Sequence, residues 1–494
     1  MARFLSFPGL PGHALPRYSM ARCSTLRRTR GFTLIEMLVA LAITLIMMGA
    51  VVTLFGVMTD SVSKGRSAIE MSDRLRAARN TLQADLLGAT ASMTPPLRPE
   101  EDEGYFEIIE GPLNDYGPAS DPTYGANWTL FGDVDDVLMF TTRSRRGPFL
   151  GRFGLRTIES EIAEVVYFLA QDPNSPPPVI DATTDPPTRL FTLYRRVLLI
   201  APQVGSIPPY PPGAGATLEH FYDDYDVSSR FDSSSGNMIP NTLGDLTKRE
   251  NRFAHYGDAT FAYGDFPFPV SRVGIPTFPL AAFPIPDWPP TTGSTNLPGN
   301  WPAGHPEESA FLAPSADARI GHDVLLTNVL SFDVQVWDPT APVRVENGVA
   351  LEPGDVGWSS ATTIGATGAY VDLGYHNTVG STLSVFSDIN PNARPTIAFP
   401  QNTAAARVYD TWSLHYENDG LDDVGDPITS SNLGDRGLNG LDDDGDGIVD
   451  DLDEYDTLPP YYAPLRGIRI KIRVYEPSSQ QVREAVIVQD FTTK

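Results

Sequence analysis

The hydrophobic rhythm of the chain changes twice. From Met37 to Thr59 none of the 23 residues is charged, and most are apolar. As a helix rising ~1.5 Å per residue, such a run is long enough to cross a hydrocarbon core of ~30 Å. Next, Met71, Leu75, Ala78, Leu82 and Leu86 recur at steps of three and four, which is one face of an amphipathic helix. Arg74, Arg76, Arg79 and Asp85 lie off that stripe, and Gly88 followed by Pro95 and Pro96 ends it. The spacing therefore predicts a transmembrane helix over 32–59 that continues over 60–88, with the stripe docked on the rest of the chain. After that the rhythm shortens to runs that read as strands: 137–141, 163–169, 191–200, 324–330, 332–337, 411–416, 468–475 and 482–491. Runs 163–169 and 191–200 are expected to pair, and the last two to form a hairpin around Pro477-Ser478-Ser479. Arg469, Lys471 and Arg473 alternate with Ile470, Ile472 and Val474, which predicts one basic, wet face and one buried face. A long N-terminal helix packed on an antiparallel β-sheet head over 89–494 is an α+β fold.

Composition adds loops and a compartment. The chain is 41% hydrophobic, enough for a sizeable core, and its 45 prolines and 42 glycines imply many turns and long connections. Twelve of the prolines fall in 264–316. This insertion is expected to be an irregular loop laid over the sheet, anchored by Phe266, Phe268, Phe278, Phe283 and Trp288; the alternative is a polyproline-type recognition segment. The formal net charge is −26, a poor footprint for nucleic acid. The single cysteine, Cys23, excludes any disulfide within the chain.

The apolar run is preceded by Arg27, Arg28 and Arg30, a basic cluster that should hold the N-terminus in the cytoplasm. A secretory signal peptide would have a shorter core and a small-x-small cleavage site. Here Asp60-Ser61-Val62-Ser63-Lys64 follows the run, so the segment is expected to be retained. Glu36 is the odd residue, because a carboxylate at the membrane end of an apolar helix is costly and calls for a partner.

Arg27-Arg28-Thr29-Arg30-Gly31-Phe32-Thr33-Leu34-Ile35-Glu36 and the apolar run resemble the prepilin leader junction of type IV pilins and type II secretion pseudopilins. The resemblance implies that residues 1–31 are a leader cut after Gly31 by a prepilin peptidase, which also methylates the new amine of Phe32. It implies that Glu36 pairs with the N-terminal amine of a neighbouring subunit during filament assembly. Loss of the leader removes six arginines and no acid, leaving −32. Met20 is an alternative start that would shorten the leader to 12 residues. Many pilins carry a C-terminal disulfide loop, and this chain departs from them.

Residues 417–456 hold 15 acids and one base, Arg436. Aligned to a twelve-residue calcium loop, Asp442, Asp444 and Asp446 fall at positions one, three and five, and Gly447 at the sharp turn. Ile448 offers its carbonyl at seven, Asp450 falls at nine, and Asp453 stands at twelve in place of the usual bidentate Glu. Oxygen donors alone suit a hard cation, so Ca2+ is expected here as a structural ion in place of a disulfide. The stretch from Gly420 to Asp426 repeats Gly440 to Asp446 in six of seven positions, with Val424 where Asp444 would be a ligand.

No nucleophile elbow, zinc-binding His pair or phosphate-binding loop is present, and the chain is expected not to be an enzyme. Within the pilin superfamily, the stretch from Asp73 to Leu86, the two central strands and the terminal hairpin look most like a J-type minor pseudopilin. Glu36 argues against the K-type, which lacks it. That resemblance implies a periplasmic head, an inner-membrane anchor, and other major and minor pseudopilins as partners. Two alternatives stay open: a minor pilin of a type IV surface pilus, and a membrane-anchored adhesin or carbohydrate-binding protein.

Overall fold

The computed structural model describes residues 32–95, 97–110, 136–170, 190–207, 224–232, 237–248, 251–253, 323–355, 357–358, 361–375, 385–386, 407–411, 461 and 463–491. The chain divides into two compact units, Met1–Ser63 and Lys64–Lys494.

The described part of the first unit is a bare helix. The helix α1 (Leu34–Leu87) begins here, and no residue of its most apolar window is buried. Thr44, Thr53 and Thr59 donate their hydroxyls to the carbonyls of Ala40, Gly49 and Phe55, one turn back. Polar side chains in an apolar run are thereby satisfied without help from a neighbour.

In the second unit α1 becomes one-sided. Met71, Leu75, Ala78, Leu82 and Leu86 are buried, as their spacing predicts, and share one core with the sheet. Gly88 ends the helix where its Cα touches β-strand backbone; a Cβ there would lie 2.3 Å from the carbonyl oxygen of Arg143. The strands are β1 (Phe106–Glu110), β2 (Val137–Arg143), β3 (Phe149–Phe153), β4 (Arg156–Ser160), β5 (Ile162–Ala170), β6 (Phe191–Leu199), β7 (Ser229–Asp232) and β8 (Asn237–Pro240). They continue with β9 (Val324–Glu346), β10 (Val349–Leu351), β11 (Thr363–Val371), β12 (Arg407–Asp410), β13 (Gly467–Glu476) and β14 (Gln481–Asp490). One antiparallel sheet runs β12-β1-β2-β5-β6-β9-β13-β14, with β10 and β11 also on β9, and it curls into a half-barrel. β3–β4 and β7–β8 are separate hairpins. A long apolar helix followed by an antiparallel sheet is the α+β arrangement expected.

The sheet is covered on two sides at its middle. Ala163, Val165, Tyr167 and Leu169 of β5 join the core shared with α1. Val166 and Phe168 join a second core with Ile207, Met238, Leu246 and Phe253. β5 therefore reads as an unbroken apolar run, as a strand buried on both faces must.

Three expectations need correction. Residues 324–330 and 332–337 belong to one 23-residue strand, β9; Asn328 bends it with a positive φ of 58° instead of breaking it. Thr411, expected to open a strand over 411–416, directly follows β12 and lies outside it, and residues 412–416 fall outside the described residues. The basic face of β13 is not wet. Lys471 donates to Asp333 at 2.9 Å, Arg473 to Glu484 at 2.7 Å, and Arg469 to Gln335 and Glu352 at 2.7 and 2.9 Å. The bases are half-buried in a ladder of acceptors on adjoining segments.

Arginines also fasten segments that are distant in sequence. Glu107 and Asp410 are register partners on β1 and β12, both fully buried. Two such carboxylates would repel in a low dielectric. Arg252 Nη1 donates to both, at 3.0 and 2.8 Å, and its Nε and Nη2 donate to the carbonyls of Leu246 and Thr247. The guanidinium also sits 4.2 Å from the ring centre of Tyr105. Beside it, Glu164 accepts hydrogen bonds from Tyr105 Oη, Ser228 Oγ and the Phe253 amide. Burial, then the Glu164 charge, holds the Tyr105 hydroxyl well above its usual pKa.

Candidate functional site at the amino-terminal junction

The start of α1 is built by a local rule. Thr33 stands just outside the helix and Glu36 three residues on, the spacing of a capping box. The Glu36 amide donates to Thr33 Oγ1 at 3.3 Å, and Glu36 Oε2 accepts from the Thr33 amide and from Thr33 Oγ1, both at 2.9 Å. The first backbone turn closes with the Met37 amide on the Thr33 carbonyl at 3.2 Å. Such a box satisfies orphan backbone donors at a helix end. Here it also gives the carboxylate two donors at the head of a helix dipole, which favours an anion.

Phe32 precedes the cap and is 80% exposed. Gly31, the expected cleavage position, lies outside the described residues. The sequence reading singled out Glu36 and missed Thr33, although Thr-x-x-Glu before an apolar run is itself a legible cap signature. Chemically, the junction offers one carboxylate held by Thr33 through Oε2, in the first turn of an apolar helix.

The second place where the sequence reading fell short is Asp85. It was read as lying off the packing stripe, yet it is buried. Arg195 grips it bidentately, Nε to Oδ2 at 2.7 Å and Nη2 to Oδ1 at 3.0 Å, and Tyr167 Oη donates to Oδ2 at 2.5 Å. The backbone carbonyl of Asp85 accepts from Thr142 Oγ1 at 2.7 Å. Burial first, then the Asp85 charge, pushes the Tyr167 hydroxyl well above the ordinary tyrosine pKa. The last turns of α1 are therefore locked to β2, β5 and β6 by polar contacts as well as by the apolar stripe.

The calcium-loop residues Asp442, Asp444, Asp446, Ile448, Asp450 and Asp453 lie outside the described residues, as does the insertion 264–316. Among the described residues, no group of three or more His, Cys, Asp or Glu side chains is arranged to hold a metal ion.

Residues 26–52 match the family model described as "Prokaryotic N-terminal methylation motif". No curated protein and no solved structure matches the chain. The match spans the basic cluster, Phe32, the Thr33–Glu36 cap and about two thirds of the apolar run. Processing by a prepilin peptidase and assembly with other pilin-like subunits follow from such a motif. Among the described residues one helix is long and apolar enough to cross a membrane, and its place near the N-terminus fits a membrane-anchored protein. The chain thus carries, at residues 26–52, the N-terminal methylation motif that signals the type IV pilin and pseudopilin family.

Proposed function

We propose that the protein is a minor pseudopilin, most like the J-type, of a type II secretion filament. Its N-terminus faces the cytoplasm, its head lies in the periplasm, and it works by assembly and not by catalysis. The observation that carries this reading is Glu36, a carboxylate at the tip of a fully exposed apolar helix whose far end is locked into a folded head. Among the described residues the carboxylate accepts from Thr33 alone. In a filament the methylated amine of a neighbour's Phe32 offers it a charge. At hydrogen-bond distance and in a low-dielectric filament interior, that attraction is stronger than the contact it replaces. Incorporation is thus a change of partner for Glu36, which selects the axial register of the subunit.

The acidic insertion is proposed to bind one structural Ca2+ through Asp442, Asp444, Asp446, Ile448, Asp450 and Asp453. The oxygen-only donor set at calcium-loop spacing supports this.

A comparative secretome of wild type and a chromosomal Glu36→Ala strain, with surface pili counted on the same cells, tests the assignment. Lost extracellular proteins with pili intact is the expected result. Lost pili with an unchanged secretome would transfer the protein to a type IV pilus. Unchanged assembly on both counts would favour an anchored binding protein.

A further inference from the structure

The apolar stripe of α1 does not by itself fix where the helix sits along the sheet. Met71, Leu75, Ala78, Leu82 and Leu86 repeat at steps of three and four. A slip of one helical turn, ~5.4 Å, puts Leu75 in the place of Met71, Leu82 in that of Ala78 and Leu86 in that of Leu82. Apolar side chains then meet the same core again, and hydrophobic attraction has no direction with which to oppose the move. Of the five, only Ala78, 1% exposed, marks its place by its size.

Two positions at the end of the helix do tell one register from the next. Asp85 is held bidentately by Arg195 and accepts from Tyr167 Oη. Tyr167 and Arg195 are register partners on β5 and β6, so together they make one fixed point on the sheet. A slip of one turn carries the carboxylate away from both and leaves two charges in the interior without each other. Three residues on, the Gly88 carbonyl accepts from the Arg143 amide at 2.8 Å, where a Cβ would lie 2.3 Å from the Arg143 carbonyl oxygen. Every residue within four positions of Gly88 has a Cβ, so a slip brings a clash to that point.

We propose that Asp85 is a positioning residue: its pairing with Arg195 and Tyr167 selects one axial register of α1 on the sheet from those that the apolar stripe allows. A buried ion pair suits this task better than it suits adding stability, because packed apolar groups in its place often hold as well. The register sets the length of α1 between Glu36 and the sheet. That consequence for assembly rests on the pseudopilin reading; the register itself does not.

The test reads one distance in the full chain, in detergent micelles, with Cys23→Ser so that labels attach only where they are placed. Nitroxides on Arg74→Cys and Arg145→Cys, both exposed positions, report the seat of the helix by pulsed electron resonance. The otherwise native chain should give one narrow distance. The triple variant Asp85→Leu, Tyr167→Phe, Arg195→Met strands no polar group of the lock. Its melting temperature should hold, while a second distance appears, displaced by about 5 Å. Asp85→Asn keeps the shape of the side chain and decides the matter if the triple variant does not fold; it should show the same second distance in a smaller share. One narrow, unshifted distance in the folded variants, whatever their melting temperature, would overturn the proposal, as would two distances in the native chain. Glu36→Ala should leave this distance unchanged whatever it does to assembly, so failure of the pseudopilin reading is seen separately.

Discussion

Asp85→Ala should be among the most costly single changes in the head. Asp85 is almost fully buried, Arg195 keeps only a fifth of its side chain exposed, and Tyr167 is fully buried. Removing the carboxylate leaves a guanidinium facing a cavity and a phenolic hydroxyl without its acceptor. Breaking a buried ion pair by deleting one partner costs about 3–5 kcal/mol. The stranded hydroxyl adds about 1–3 kcal/mol. Arg195 can swing partly into water, which lowers the first figure, so about 4 kcal/mol in total is expected. Urea unfolding of the unit Lys64–Lys494, followed by tryptophan fluorescence, measures it. With an m-value above about 3 kcal/mol/M for a unit this size, the midpoint should fall by roughly 1 M. Tyr167→Phe removes one hydrogen bond and spares the ion pair, so about 1 kcal/mol is expected. Asp85→Asn keeps an acceptor and loses the charge, and should fall between the two. A loss below 1 kcal/mol for Asp85→Ala, or a larger loss for Tyr167→Phe, would refute the view that this contact locks α1 to the sheet.

Other outcomes follow from the same physics. Arg252→Met leaves Glu107 and Asp410 side by side without their shared guanidinium and should cost about 3–5 kcal/mol by the same urea assay. Burial raises the pKa values of Tyr105, Tyr167 and Tyr409 above the unfolded value of about 10. The folded state therefore keeps protons that the unfolded chain releases, and stability that is intact below pH 10 should fall as pH rises beyond it; Tyr167→Phe should flatten that alkaline arm in a pH series of melts. Leu82→Ala, at the centre of the helix stripe, should lower stability by about 2–5 kcal/mol. Chelation with EDTA should lower the melting temperature and speed proteolysis between residues 417 and 456, and an unchanged melt at low ionic strength would end the calcium proposal.

Legibility in the sequence tracked the range of the interaction. The helix stripe was readable because Met71 to Leu86 repeat with the helical period, and β13–β14 because two alternating runs flank a short polar turn. β9 was not readable as one strand, because Asn328, Ser331, Pro339 and Pro342 look like interruptions, and only neighbours on both sides keep the strand extended through them. Asp85 looked like an ordinary solvent-facing acid because its partners are 82 and 110 residues away. Arg252 is the same case: nothing near it marks a contact 145 residues back and another 158 residues ahead. At the junction, Glu36 stood out because a charge is costly there. Thr33 did not, because a threonine before a helix is commonplace.

The arginine clamps have a consequence for how this protein matures. The only cysteine lies in the segment ahead of Phe32, so the head cannot be stitched by thiol oxidation. Arg252 joins Leu246 and Thr247 to β1 and β12, and Arg195 joins the helix to the sheet. Such links form when the chain collapses and need no oxidant, no isomerase and no correction of wrong pairings. Reducing agents should leave them untouched. The head is thus indifferent to the redox state of the space it folds in.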